Sequence, residues 1–174
     1  MKKLIIIFAF LIFCCSANND ISAQKSDEIF TIYLVRHSEK DLTFENQSDP
    51  PLSECGEKRS KHLSVFLKNI DLDIIYSTNY TRTKNTALPT AQSKELEVRQ
   101  YNAQELSDFS KVLIESKQNT LVVGHSNTTA VLAGLLVNQT LGAFDSDIYN
   151  RIYKVKFKKN KGEMVLMHSD FKCP

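Results

Sequence analysis

The sequence predicts an α/β protein with a mostly parallel central sheet. Three short apolar, β-branched stretches each end at a polar cluster: Ile32 to His37, Ile74 to Arg82 and Leu121 to Ser126. Segments of helical spacing separate these stretches, so that strands and helices alternate, and two further strands close the chain in an antiparallel arrangement. Because the carboxyl ends of parallel strands line one crevice, we expect the polar clusters to meet there.

The first strand is predicted at Phe30 to Val35, where nearly every residue is apolar, as in a strand with both faces covered. Leu42 to Leu52 contains Asp49 and two prolines and is predicted to be a loop. Ser53 then caps a helix that runs to about Ile70. The apolar face of this helix consists of Leu63, Phe66, Leu67 and Ile70.

The middle of the chain continues the alternation. Ile74 to Tyr76 is predicted as the second strand, and a helix follows from Thr81 to Ser93, in which Pro89 is expected to kink or end the helix. A short strand at Glu97 to Arg99 and a helix at Ala103 to Ser116 come next.

The last third begins with the strand that looks most buried, Thr120 to Val123. A helix of small and apolar residues is predicted at Thr128 to Val137, followed by strands at Ile152 to Phe157 and Met164 to His168. The sequence contains no internal repeat and no interdomain linker, which predicts one domain over residues 24–174.

The N-terminus has the pattern of a secretory signal peptide over residues 1–23. Three residues with two lysines precede the apolar run Leu4 to Phe13, which is about half of the ~20 residues that span a bilayer. Small residues place the cleavage site after Ala17 or Ala23. We therefore expect export to the periplasm or the cell envelope.

Two alternatives to soluble export stay open. The apolar run is retained as a membrane anchor in one, and Cys14 or Cys15 carries a lipid in the other. Neither cysteine follows the small residue of a good lipoprotein signal, so soluble export is favoured over a lipid anchor.

The charge balance argues against polyanionic partners. The formal net charge of +2 gives no electrostatic footprint for nucleic acid or anionic lipid. The basic stretch Arg151 to Lys161 alternates with apolar residues and is predicted to be a half-buried strand with a solvated cationic face. We expect no nucleic-acid partner and membrane contact only through the leader, while the oligomeric state stays open.

Cys55 and Cys173 lie outside the leader, and an oxidising compartment would permit a bond between them. Their spacing does not decide between a disulfide and two free thiols. No pair of cysteines in this region has the short separation of a zinc site.

The polar clusters suit phosphoryl transfer. A phosphate monoester needs fixed cations around its oxygens, and the planar guanidinium of arginine donates paired hydrogen bonds without losing its proton. Arg36 and Arg82 could thus replace a metal ion. A neutral histidine can attack phosphorus if a backbone acceptor fixes its tautomer, and a second histidine beside the amides of Ser126 to Thr128 would bind the transferring group.

At these residues the chain resembles the histidine phosphatase superfamily, whose fold is that of phosphoglycerate mutase. The Arg-His-Gly motif of the family is similar to Arg36-His37-Ser38, which follows the first strand. The second-arginine segment resembles Ser77-Thr78 through Arg82-Thr83 and Thr86-Ala87, and the second histidine resembles Gly124-His125-Ser126. The motifs occur in the family's order across nearly all of residues 24–174.

The resemblance implies a three-layer α/β/α sandwich that works without a metal or other cofactor. It implies His37 as the nucleophile, with Arg36, Arg82 and His125 forming the phosphate pocket. It also implies that Leu52-Ser53 and Gly56 form the family's turn ahead of the first helix.

The chain departs from the family at two positions. Ser38 stands where the family has glycine, and Ser126 stands where acid-phosphatase members have the general acid. Glu105 is the candidate acid, in a shifted setting, and Glu39 and Asp41 are alternatives close to His37. Weaker candidates for contacts to the substrate are Lys40 and Ser126.

A metal site is the competing interpretation of the same residues. His37, Glu39, Asp41 and His125 have suitable ligand types, but Arg36 and Arg82 would repel a cation.

The expected function is therefore an exported phosphatase acting on a small phosphorylated substrate. A mutase is less expected, because the connection from Ser38 to Leu52 is too short for an extensive cap. The alternative is a module that binds phosphate or a phosphosugar and has lost turnover. The reason for considering it is that the sequence shows no evident general acid.

Overall fold

The structure of the protein is a computed structural model that describes residues 29–173. The predictions of a leader, a cleavage site and a lipid anchor lie outside the described residues. No helix in this part of the chain has both the length and the apolar character that crossing a bilayer requires.

Every predicted strand and helix between residues 29 and 173 is present, with ends that shift by a few residues. The strands are β1 (Ile29–Arg36), β2 (Ile74–Ser77), β3 (Val98–Gln100), β4 (Thr120–Gly124), β5 (Arg151–Lys158) and β6 (Lys161–His168). The helices are α1 (Glu54–Phe66), α2 (Thr81–Lys94), α3 (Leu106–Ser116) and α4 (Thr129–Leu136).

The six strands form one sheet in the order β3-β2-β4-β1-β5-β6. The four strands from β3 to β1 are parallel to one another, whereas β5 is antiparallel to β1 and β6 is antiparallel to β5. The predicted parallel sheet with an antiparallel edge is confirmed. All four carboxyl ends of the parallel strands therefore lie at one edge.

Two helices cover each face of the sheet, which confirms the three-layer α/β/α sandwich. One core contains Leu63 and Leu67 from α1 and its cap, together with Ala87 and Ala91 of α2. The core on the opposite face includes Phe109 and Leu113 of α3 and Leu132 and Leu136 of α4. The central strands are buried on both sides, as their nearly continuous apolar sequences predict.

Helix α1 begins as predicted and ends earlier than predicted. The hydroxyl of Ser53 accepts a hydrogen bond from the backbone N–H of Gly56 at 3.2 Å. At the other end Phe66 is 36% exposed and does not belong to the buried face. The chain turns there, because the N–H of Ile70 bonds to the carbonyl of Leu67.

Pro89 lies inside α2, so the helix does not end at this residue, which was one of the two predicted outcomes. Proline removes the hydrogen bond that would reach the carbonyl of Asn85. Asn85 is exposed, so water can satisfy that carbonyl. The helix therefore continues to Lys94 although it lacks this one backbone hydrogen bond.

The basic strand β5 has the predicted half-buried pattern. Ile152, Val155 and Phe157 are buried, whereas Lys156 and Lys158 are exposed. The cationic side chains thus lie on the solvated part of the sheet.

Cys55 and Cys173 form a disulfide, which settles the open question in favour of pairing. Their Cα atoms are 5.6 Å apart, a separation that is usual for such a bond. The bond joins the first turn of α1 to the segment after β6, where Arg59 donates to the carbonyl of Phe171 at 3.2 Å. The C-terminal segment is thus fixed against α1.

We expect reduction of this disulfide to lower the free energy of unfolding by about 2–5 kcal/mol, because the bond closes a long loop in the unfolded chain. Urea unfolding with and without dithiothreitol measures the change. The double variant Cys55→Ser/Cys173→Ser is the control and should not respond to the reductant. Equal transition midpoints for the wild type under both conditions would contradict a stabilising bond.

Candidate active site

The two histidines of the motifs meet because β1 and β4 are adjacent and parallel. Arg36 at the end of β1 lies opposite Gly124 at the end of β4. The backbone N–H of His37 then donates to the carbonyl of Gly124 at 2.9 Å. As a result, the rings of His37 and His125 lie with their centroids 5.5 Å apart.

His37 has the protonation state that a nucleophile requires. Its Nδ1 lies 2.7 Å from the carbonyl oxygen of Ser38, so Nδ1 must carry the proton that it donates. The other nitrogen, Nε2, keeps its lone pair. Burial, more than the nearby cations, lowers the pKa of His37 from 6.5 to about 3.

Ser38 takes the place of the family's glycine without backbone strain. It is not among the residues between 29 and 173 that have a positive φ. Its side chain is buried, and its N–H donates to the hydroxyl of Thr86 at 2.9 Å. A glycine is therefore not required at this turn.

Arg36 is held by backbone carbonyls and an aromatic face. Its Nη1 donates to the carbonyls of Ser146 at 2.6 Å and Ile148 at 3.2 Å. Its guanidinium carbon lies 4.1 Å from the ring centroid of Tyr149. Burial lowers the pKa of Arg36, although a guanidinium stays charged at ordinary pH.

Arg82 lies in the first turn of α2, where Asp49 anchors the preceding loop. The carboxylate of Asp49 accepts from the N–H and the hydroxyl of Thr81 at 2.8 and 2.7 Å. It lies 3.6 Å from Nη1 of Arg82, which is too far for a hydrogen bond. The guanidinium also lies 4.4 Å from the ring centroid of Tyr80.

Both arginines keep a buried donor that is not used within the described chain. Nε of Arg36 and Nη1 of Arg82 are buried and make no hydrogen bond to any residue between 29 and 173. A buried donor normally has a partner, and a cationic donor without one favours a bound anion.

His125 is oriented by two threonines. Its Nε2 lies 3.0 Å from the hydroxyl oxygen of Thr78, which in turn lies 2.9 Å from that of Thr83. The Thr83 hydroxyl donates to a backbone carbonyl, so it accepts from Thr78, and the oxygen of Thr78 accepts from His125. Burial, followed by the charge of Arg82, lowers the pKa of His125 to about 4.

These groups line one open cavity of about 790 Å³. Its lining includes six of the predicted site residues, Arg36, His37, Lys40, Arg82, His125 and Ser126. Arg36 and His37 are buried, and no aspartate or glutamate lies among the described lining residues. The cavity is therefore cationic and suited to an anion.

The predicted carboxylates lie elsewhere. Glu105 is exposed at the start of α3 and is not among the lining residues. Glu39 forms a two-pronged ion pair with Arg59, with distances of 2.6 to 2.9 Å. Asp41 is half-buried and accepts hydrogen bonds from the N–H and the hydroxyl of Thr43. The role of Glu105 as general acid stays a prediction.

The structure does not assemble the metal site considered as an alternative. Glu39 and Asp41 are directed to Arg59 and Thr43, away from the two histidines. Within residues 29–173, Glu39, Cys55 and Cys173 form a group whose potential ligand atoms lie within 4.8 Å of one another. Its two sulfurs are bonded to each other, and its carboxylate is paired with Arg59.

Sequence reasoning did not assign roles to Thr78, Tyr80, Asp49 and Tyr149. Thr78 and Tyr80 lie between motif residues, so their position after β2 was a usable signal. Asp49 is an acidic residue in a proline-containing loop, with no pattern that connects it to α2. Tyr149 precedes β5 and reaches Arg36 only through the antiparallel pairing of β5 with β1.

Comparison with known proteins gives consistent matches. Residues 32–109 match the family model of the histidine phosphatase superfamily, branch 1. Phosphoserine phosphatase 1 of Hydrogenobacter thermophilus is 42% identical over 71 residues, which are 38% of this chain and 34% of that protein. The chain thus aligns with about a third of the length of this relative.

Solved structures match over most of the chain. The α-ribazole phosphatase of Shigella flexneri gives a TM-score of 0.67 at 14% identity, covering 80% of this chain and 96% of that one. The protein histidine phosphatase SixA, complexed with tungstate, gives 0.66 at 17% identity, covering 80% and 97%. At these identities the likeness establishes the fold.

The sheet order, the motif residues at its carboxyl edge and the matching family model together define an α/β protein with the fold of the matched histidine phosphatases. Residues 32–109, which contain Arg36, His37 and Arg82, belong to the histidine phosphatase superfamily, and the fold of the described chain agrees with this match.

The low pKa values of the two histidines predict that stability falls in acid. Both imidazoles stay neutral in the folded protein down to about pH 4, whereas in the unfolded chain they take up protons below pH 6.5. Unfolding is therefore favoured as the pH drops through this window. Between pH 7 and pH 5 we expect the variant His37→Gln to lose about 2 kcal/mol less stability than the wild type.

Urea unfolding of both proteins at the two pH values measures this difference. Equal losses in the wild type and the variant would show that His37 protonates normally in the folded state.

The hydrogen bonds from His125 to Thr78 and from Thr78 to Thr83, here called the threonine relay, predict that Thr78 determines the tautomer of His125. In Thr78→Val the Nε2 proton loses its acceptor, and we expect kcat/KM to fall about fivefold or more. Nitrogen NMR shifts of His125 should change from the Nε2–H tautomer to a mixture. Thr78→Ser keeps the oxygen and is the matched control, so equal spectra for the two variants would refute the relay.

Proposed function

We propose that this protein is an exported phosphatase that hydrolyses phosphate monoesters through a covalent phosphohistidine on His37, without a metal ion. The observation that carries the proposal is the pair of buried, unused donors on Arg36 and Arg82 beside the neutral ring of His37. The two arginines provide the positive charge that binds phosphate, and His37 provides the nucleophile in the same cavity.

The geometry suggests the order of events. The ester phosphate binds with its oxygens at Arg36 and Arg82, and the lone pair on Nε2 of His37 attacks phosphorus. The P–N bond forms as the bond to the ester oxygen breaks, and the departing oxygen takes a proton from a general acid or from water and leaves as the alcohol. Water then attacks phosphorus, the P–N bond breaks, and inorganic phosphate departs.

The hydrogen bond from Nδ1 of His37 to the carbonyl of Ser38 supports the first step. The ring becomes positively charged when Nε2 bonds to phosphorus, and the carbonyl dipole stabilises this charge. The charge of the two arginines stabilises the transferring group, whereas the single N–H of neutral His125 is donated to Thr78 in the structure.

The leaving oxygen needs a proton donor as it departs. Glu105 remains the sequence-based candidate and lies outside the lining of the cavity. A substrate with a weakly basic leaving oxygen needs the least help from such an acid.

The relatives support a phosphatase rather than another phosphate-binding protein. The matched proteins are named as phosphatases, and the SixA structure is a complex with tungstate, which is a tetrahedral oxyanion like phosphate. The curated relative aligns over only part of its length, so the activity of the whole chain is our proposal.

Export is supported by two independent features. The N-terminal sequence has the pattern of a leader, and Cys55 is bonded to Cys173. Disulfides persist mainly in oxidising compartments such as the periplasm.

One observation favours a second candidate function. The described lining residues include no carboxylate, so the cavity could bind phosphate or a phosphosugar without turning it over. This alternative keeps the same cationic pocket and differs only in the chemistry.

The test is hydrolysis of p-nitrophenyl phosphate by residues 24–174 in the presence of EDTA. We expect activity that resists the chelator and falls below about one thousandth in His37→Ala, because the nucleophile is lost. His168→Ala is the matched control, since His168 is exposed on the edge strand β6. Activity that EDTA abolishes would refute the metal-free mechanism, and tight phosphate binding without turnover would support the binding module.

A further inference from the structure

The cavity is much larger than the phosphate group that its cationic end would hold. Its volume of about 790 Å³ is that of a site for a whole small molecule. The space beyond Arg36 and Arg82 must therefore accommodate the leaving group of the ester, and its lining should reflect the chemistry of that group.

Five of the residues that line the cavity have side-chain amides. They come from the turn after β2, from the end of β3 and the stretch between β3 and α3, and from the loop after β4. Ala103 is the one aliphatic residue in the lining given by the described chain. The residues of this amide rim are Asn79, Gln100, Asn102, Gln104 and Asn127.

Much of the hydrogen-bonding capacity of the amide rim is unused. Asn79 accepts from Gln100 at 3.1 Å through its oxygen, which leaves its NH₂ group for a ligand. Asn102 similarly accepts from the backbone N–H of Gln104 at 3.0 Å. The side chains of Gln104 and Asn127 make no hydrogen bond to the part of the chain that the structure describes.

Uncharged amides match hydroxyl groups. Each amide both donates and accepts, as a hydroxyl does, so a polyol can replace the water that it displaces. An alkyl leaving group would strip water from the amides without replacing its hydrogen bonds. A leaving group with an ammonium would find no carboxylate and would be repelled by Lys40 and the arginines.

We propose that the amide rim is a subsite for a polyhydroxylated leaving group, so that the substrate is a sugar phosphate or polyol phosphate. This inference rests on the proposed phosphatase function and adds the substrate class. It assigns specificity to Gln104 and Asn127, whose side chains have no structural partner among residues 29–173.

The test compares three primary alkyl phosphates: ribose 5-phosphate, n-pentyl phosphate and phosphoethanolamine. All three leave as primary alcohols, so the comparison measures recognition of the leaving group more than its basicity. We expect kcat/KM for ribose 5-phosphate to exceed that for the other two by about tenfold or more.

Substitutions in the amide rim then test whether its residues cause the preference for ribose 5-phosphate. In Gln104→Leu and Asn127→Leu, the ratio of kcat/KM for ribose 5-phosphate to that for n-pentyl phosphate should fall about fivefold, because a hydrogen bond is lost. Gln92→Leu is the matched control, since Gln92 is exposed on α2 and is not a lining residue. Equal rates for the three esters, or an unchanged ratio in both rim variants, would overturn the proposal.

Calorimetry separates failure of this inference from failure of the proposed function. If p-nitrophenyl phosphate is not hydrolysed, the phosphatase proposal fails and binding of the same three esters tests the rim. Tighter binding of ribose 5-phosphate, weakened in Gln104→Leu, would then support the subsite. Equal binding of the three esters would refute it.

Discussion

The parallel pairing of β1 with β4 is the constraint on which the site depends. It places Arg36 opposite Gly124 and allows the N–H of His37 to bond to the Gly124 carbonyl. A slip of one residue would move every side chain of β1 to the other face. Gly124 itself has to be glycine, because a Cβ there would lie 2.6 Å from the hydroxyl of Tyr101 and 2.9 Å from that of Thr128.

The cations of the site are positioned mainly by carbonyls and aromatic rings, and Arg82 also forms a long ion pair with Asp49. Carbonyls and the ring of Tyr149 position Arg36, and the ring of Tyr80 positions Arg82, while Asp49 stays 3.6 Å from Arg82. A carboxylate in direct contact would have compensated these charges and weakened the attraction for phosphate. The same arrangement keeps His37 neutral, because burial and adjacent guanidiniums both disfavour a charged imidazole.

The sequence allowed the sheet and the meeting of the motif residues in one cavity to be predicted, since apolar strands and polar residues at their ends are local signals. Contacts between residues on distant elements could not be predicted from the sequence. Tyr149 contacts Arg36 only because β5 returns antiparallel to β1, and no spacing in the sequence encodes that contact. Whether α2 continues past Pro89 depends on whether the carbonyl that the proline leaves unpaired faces solvent. That cannot be predicted until the packing of α2 is known.

Glu39 shows why proximity in sequence is a poor guide to a general acid. It lies two residues after His37, yet its carboxylate is bound by Arg59 and its backbone carbonyl accepts from the N–H of Ser53. Gly56 must lack a side chain because its Cα packs against the backbone of Glu39. A carboxylate that braces the loop of the nucleophile in this way cannot also reach the leaving group.

The contacts that hold the loop after His37 therefore extend to the C-terminal segment. Arg59 holds Glu39 and also stacks 4.9 Å from the ring centroid of Phe171, in the segment that the disulfide fixes to α1. A partly buried ion pair is costly unless both partners are fully bonded, and the C-terminal segment supplies the remaining contacts. Chemistry at the carboxyl edge of the sheet thus depends on contacts made by residues more than a hundred positions away along the chain.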